Sequence, residues 1–137
     1  MAKPRFIDAI VASVFPSRGL WLAGVEIKVT KTDWRSELRD PDKSACIMRF
    51  CRYWYMACPV GIIPIGEVPE AWGLVEVRAD GATIVKKAER LESETPDMGF
   101  VCSVLRAASK GEGVLANTSS NAETNVEDAT DGDIEDS

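Results

Sequence analysis

The sequence predicts an α/β domain: a mixed sheet with flanking helices. Three observations lead there. The apolar run Leu20-Trp21-Leu22-Ala23-Gly24-Val25-Glu26-Ile27-Lys28-Val29 is followed by helical patterning and then by a second apolar run, the order and spacing of a parallel crossover. The turn material Phe15-Pro16-Ser17-Arg18-Gly19 separates that run from an earlier apolar one, which suits an antiparallel hairpin. Further on, Asp80-Gly81 lies between two alternating runs, a second hairpin signal.

Taken in order, residues 5–14 read as the first strand, with Asp8 near its start. Paired across the turn, the strand that carries Asp8 lies beside the second strand, residues 20–29, which carries Glu26, so both carboxylates can reach one end of the sheet. Strand side chains alternate, so Glu26 and Lys28 share a face while Val25, Ile27 and Val29 point the other way, toward an expected core. A carboxylate and an ammonium on such a strand form either a plain surface ion pair or part of a site. Thr30-Lys31-Thr32-Asp33 offers capping residues to a short helix over 34–39, on which Glu37 reads as a surface charge. Asp40-Pro41 restarts helix, and Ile47, Phe50, Cys51 and Trp54 recur at helical spacing along one packed face. Residues 55–60 form a strand buried on both faces, and a Pro- and Gly-rich loop over 61–72 ends in a short helix at 69–72. Strands over 73–78 and 83–87 make the second hairpin, and a helix spans 96–110 with Met98, Val101, Cys102 and Leu105 on its apolar side. Trp34, Trp54 and Trp72 read as packing residues rather than base-stacking platforms.

The 137 residues suffice for one domain with a single core. The formal net charge of -6 hides an asymmetry. All 16 Lys and Arg stand at or before Lys110 beside 14 acids, a net of +2, and the remaining 8 acids follow. Residues 111–137 therefore read as an acidic, disordered tail, either a solubilising end or a mimic of nucleic acid competing for the basic face. No run is long enough for a membrane span and the start lacks a secretory signal, so a cytoplasmic location is expected. There is no histidine, which excludes Ser-His-Asp and Cys-His catalysis and leaves chemistry to carboxylates, Lys, Arg, Tyr, Ser or Cys with a metal. The four cysteines form no C-x-x-C pair, and Cys46 and Cys51 read as small core residues. No glycine-rich phosphate loop precedes a helix, which counts against a nucleotide-using small-molecule enzyme.

Asp8 on one strand and Glu26-Ile27-Lys28 on the next resemble the PD-(D/E)xK nuclease superfamily. The likeness continues through Phe15-Pro16-Ser17-Arg18-Gly19, Val25-Glu26-Ile27-Lys28-Val29, Thr32-Asp33-Trp34-Arg35-Ser36-Glu37-Leu38, Asp40-Pro41-Asp42-Lys43 and Glu67-Val68-Pro69-Glu70-Ala71-Trp72-Gly73-Leu74. These segments are similar to phage and bacterial relatives of the MmcB-type DNA-repair proteins, over roughly residues 5–92. The resemblance implies a restriction-endonuclease-like nuclease domain over 1–110 that cuts DNA with Mg²⁺ or Mn²⁺. Asp8, Glu26 and the Ile27 carbonyl would hold the ion, and Lys28 would stabilise charge at the phosphate. Arg18, Arg35 and Lys43 are the corresponding candidates for DNA phosphates, though each also reads as a solvated side chain. Superfamily members carry a helix before the first strand, and here Asp8 comes too early to leave room for one. The expectation is a fold lacking that first helix, completed by a homodimer partner or another protein. The alternative is a catalytically silent protein on the same fold that binds nucleic acid or a protein.

Overall fold

The computed structural model describes residues 7–110, which fall into two units divided between Ser93 and Glu94. The first unit is built on five strands: β1 (Ala9–Ser13), β2 (Trp21–Ile27), β3 (Tyr53–Pro59), β4 (Gly73–Arg78) and β5 (Gly81–Lys86). They lie in sequence order, with β1 antiparallel to β2, β2 and β3 parallel, β3 and β4 parallel, and β5 antiparallel to β4. Between β2 and β3 run α1 (Lys31–Arg39), a 3-10 turn (Pro41–Ser44) and α2 (Ala45–Met48). The second unit carries α3 (Met98–Ser109), capped by the Asp97 carboxylate, which accepts from the Phe100 N–H at 2.8 Å. The expected α/β mixed sheet with flanking helices is therefore the fold. The acidic tail, residues 111–137, and residues 1–6 ahead of Asp8 lie outside the described residues.

Local chemistry accounts for the joints. Pro16 opens a 3-10 turn (Pro16–Arg18), and Gly19 then turns the chain at φ 78, a left-handed conformation that favours glycine. The Thr30 hydroxyl accepts from the Asp33 N–H at 3.1 Å and so starts α1. That start places Trp34 and Glu37 one above the other on the inward face, where Trp34 is buried and donates its indole N–H to Glu67 at 3.2 Å. On the sheet, Gly24 leaves room for Trp54: a Cβ there would meet the indole ring and the Ile7 side chain. The first hairpin pairs Ala9 with Val25, so Asp8 falls opposite Glu26, on the two neighbouring strands that the sequence suggests.

Several expectations need correction. The helical reading through Trp54 is too long. Helix α2 ends at Met48, and the Arg52 N–H donates to the Leu22 carbonyl at 2.7 Å, carrying Tyr53 and Trp54 into β3. Aromatic residues at successive positions suit a strand buried on both faces, which β3 is from Tyr53 to Cys58. Residues 69–72 form a turn closed by the Trp72 N–H on the Pro69 carbonyl, and the 3-10 turn of that loop lies earlier, at Ile65–Glu67. The first strand begins at Ala9, the last begins at Gly81, and Cys46 is exposed rather than in the core.

The largest correction concerns the faces of β2. Glu26 and Lys28 do share a face, but that face is the covered one: they are 6% and 8% exposed, whereas Ile27 and Val29 are 50% and 59% exposed. The cause is the placement of α1 and the following 3-10 turn. Both lie over the charged face and bring their own polar side chains to it.

Candidate functional site

The site occupies the carboxyl end of β2, the end of a parallel strand at which open α/β sheets gather their ligands. Asp8, just before β1, is exposed, and its Oδ2 accepts the Ile27 N–H at 2.7 Å. That bond fixes the aspartate against the backbone beside Glu26. Glu26 lies inward, and its Oε1 accepts the hydroxyl of buried Ser44 at 3.2 Å. Two residues on, the Lys28 N–H continues the sheet ladder to the Ala57 carbonyl at 2.9 Å. Its Nζ stands 4.0 Å from Glu26 Oε2 and 3.1 Å from Glu37 Oε1.

Glu37 is the residue the sequence reading misplaced. It is 1% exposed, not a surface charge. It faces Lys28, and Lys43 Nζ approaches the same oxygen at 3.9 Å. Neither Glu37 oxygen has an aligned hydrogen-bond donor among the described residues, so its partners are the two ammonium groups acting as charges. The signal available in the sequence was the Trp34 to Glu37 spacing: a residue three positions from an anchoring tryptophan shares its inward face.

Two carboxylates, Glu26 and Glu37, thus stand within 4.0 Å of one buried ammonium, and Asp8 adds its charge beside Glu26. The Glu26 carboxyl is raised above its ordinary value of 4.5, first by burial and then by the Asp8 charge, with Glu37 adding to the effect. Lys28 and the Ser44 hydroxyl oppose the shift without cancelling it. Excess negative charge on oxygen donors matches a hard divalent cation. Asp8 and Glu26 fit such an ion in donor type, Mg²⁺ or Mn²⁺ included. Among the described residues no group of three or more His, Cys, Asp and Glu side chains is arranged as a metal centre, so the candidate set is two carboxylates with the Ile27 carbonyl.

The structure brings together Asp8, Glu26, Lys28 and, through Glu37, Lys43. It does not bring Arg18 there. Arg18 sits in the turn before β2, at the opposite end of a seven-residue strand, roughly 20 Å away at about 3.3 Å per residue. Its guanidinium lies over the Phe15 ring, 5.8 Å from the centroid. Arg35 is exposed on α1, off the Trp34 and Glu37 face. Ser44 joins the site through its bond to Glu26, and nothing in its local sequence marks it.

No protein-family profile and no curated protein matches the chain. Among solved structures it is similar to the SPO1766 protein of unknown function from Silicibacter pomeroyi, at 20% identity and a TM-score of 0.46, over 77% of this chain and 83% of that one. Among the described residues no helix is long and apolar enough to cross a membrane.

Proposed function

We propose that the protein is a divalent-metal-dependent nuclease that hydrolyses phosphodiester bonds in DNA, in repair or phage DNA metabolism. The observation that carries this reading is the meeting of Asp8, Glu26 and Lys28 at one strand end, with the Glu26 carboxyl raised by burial and by the neighbouring acid. Asp8, Glu26 and the Ile27 carbonyl would hold Mg²⁺ or Mn²⁺, which supplies Lewis acidity and an activated water. Asp8 is oriented for this by the Ile27 N–H, and Glu26 by the Ser44 hydroxyl. Lys28 adds a fixed positive charge beside the carboxylates, where charge develops on the phosphate. Lys43, two-thirds covered, supplies a second positive charge on the same side. The partner is DNA, and a second copy or another protein would complete the exposed part of the sheet.

A second reading has its own support. Lys28 is buried and bound to Glu37 at 3.1 Å, a position that withholds its ammonium from a large substrate. On this reading the domain is a catalytically silent nuclease fold that binds nucleic acid or a protein.

Calorimetric titration of Mn²⁺ into the wild type and Glu26→Ala, followed by incubation of both with plasmid and single-stranded DNA, separates the two. Metal binding abolished by Glu26→Ala, with cutting lost in parallel, is the outcome expected of the nuclease. Binding without cutting supports the silent reading. No binding rejects the metal site.

A further inference from the structure

Burying an ammonium is costly unless a counter-charge accompanies it, and Lys28 is among the most buried charged groups described. Two carboxylates stand near its Nζ. Glu26, at 4.0 Å, is also the candidate metal ligand, and a cation bound there would compete for its charge. Glu37, at 3.1 Å, lies deeper and is not among the candidate metal ligands. Its carboxylate caps no helix and has no aligned hydrogen-bond donor among the described residues, and removing its charge would leave the buried ammonium without its nearest counter-ion. What holds the glutamate in place is the helix itself. The Thr30 cap sets its start, and Trp34, bonded to Glu67, sets its rotation, so the carboxylate reaches Lys28 from above the sheet. Lys43, from the next turn, approaches the same oxygen and keeps a negative charge at Glu37 tolerable.

We propose that Glu37 is a positioning residue: it anchors the Lys28 ammonium beside Glu26 independently of whether Glu26 is engaged with a metal. This deepens the nuclease reading and rests on it for its catalytic consequence, but the anchoring itself does not depend on cutting. Substitution of Glu37 by Gln keeps the shape and removes the charge, so Lys28 loses its nearest counter-ion while the packing stays.

The test uses full-length protein with ¹⁵N-labelled lysine. Ammonium groups of solvated lysines exchange too fast to be seen in ¹H–¹⁵N correlation spectra at neutral pH, whereas held ones persist. Lys28 is expected to give such a signal, assigned by its loss in Lys28→Met. Lys86, whose Nζ donates to three carbonyls at 2.7–2.9 Å, provides an internal reference for an intact fold. In Glu37→Gln the Lys28 signal is expected to broaden beyond detection with the Lys86 signal unchanged. Persistence of the Lys28 signal would overturn the proposal. In parallel, Mn²⁺-dependent cutting by Glu37→Gln is expected to lose about tenfold or more in kcat with KM nearly unchanged, with partial recovery in Glu37→Asp. An unchanged kcat in a cutting enzyme also overturns it. If the wild type does not cut, the nuclease reading fails by itself, and the ammonium signal alone decides whether Glu37 anchors Lys28.

Discussion

Glu26 shows how a single residue's surroundings set its behaviour. Burial and the Asp8 charge favour its protonated form in the folded chain, so the native state holds that proton more tightly than the unfolded chain does. The sign of the linkage follows. Stability associated with Glu26 is fully present below its ordinary pKa of 4.5 and is lost as pH rises from there through the raised folded value. Glu26→Gln, which removes the titration but keeps the Ser44 contact available, is expected to melt above the wild type, with a gap in Tm that widens as pH climbs from about 4.5 toward neutrality. Thermal melts of both proteins across that range check this, and a gap that stays constant or shrinks would refute it. The same charges that destabilise the carboxylate would favour a cation, so Mn²⁺ is expected to raise the wild-type Tm more than that of the variant.

Among the elements, the parallel strands depend on irregular connections rather than on regular helices alone. The loop from β3 to β4 crosses without an α-helix and is tied down by one side chain from β5. Lys86 Nζ donates to the carbonyls of Pro69, Glu70 and Trp72 at 2.8, 2.9 and 2.7 Å. These carbonyls belong to the turn closed by the Trp72 N–H on the Pro69 carbonyl, and the Lys86 ammonium is the charged partner that all three share. Lys86→Met retains the stem and removes the donor. It is expected to destabilise the protein by roughly 1.5–3 kcal/mol, since charged hydrogen bonds are lost together and two of the three acceptors, at Pro69 and Trp72, are partly buried. Urea unfolding with unchanged m-value and lowered midpoint is the expected result. A loss within experimental error would mean that the loop is held instead by the packing of Trp72 and Val68, both buried.

In the first unit the core gathers on β3, where every residue from Tyr53 to Cys58 is buried, and it includes the buried Trp34 and Phe50. The cysteines report this division. Cys51 is fully buried and its thiol is pushed up to about 12 by loss of solvation, and burial also raises Cys58. Cys46 and Cys102 are exposed. A thiol-reactive dye at pH 8 is therefore expected to modify Cys46 and Cys102 quickly in the native protein and to reach Cys51 and Cys58 only on the timescale of unfolding. Peptide mapping of the labelled protein distinguishes them. Rapid labelling of Cys51 would mean that the crossover between β2 and β3 opens locally, without loss of the sheet.

The sequence by itself determined the elements whose causes are local. Turn residues at Phe15–Gly19 and Asp80–Gly81, the Thr30 cap and the β-rich runs mark both hairpins and the crossover, because each signal acts over a few residues. It also placed the strand that carries Asp8 beside the one that carries Glu26, with both carboxylates toward one end of the sheet, while the register that sets Ala9 against Val25 belongs to the folded hairpin. The tertiary structure decided which face of β2 is inside. Alternation sorts Glu26 and Lys28 from Ile27 and Val29, but it is silent on which set a later helix will cover, and hydrophobicity pointed to the wrong one. Only the packing of α1 over the charged face, with Glu37 and Ser44 there to satisfy it, makes burial of that pair tolerable. For the same reason Glu37 reads as a surface charge in sequence: its partner lies nine residues back on a different element, and nothing short of the folded chain brings Lys28 within 3.1 Å of it.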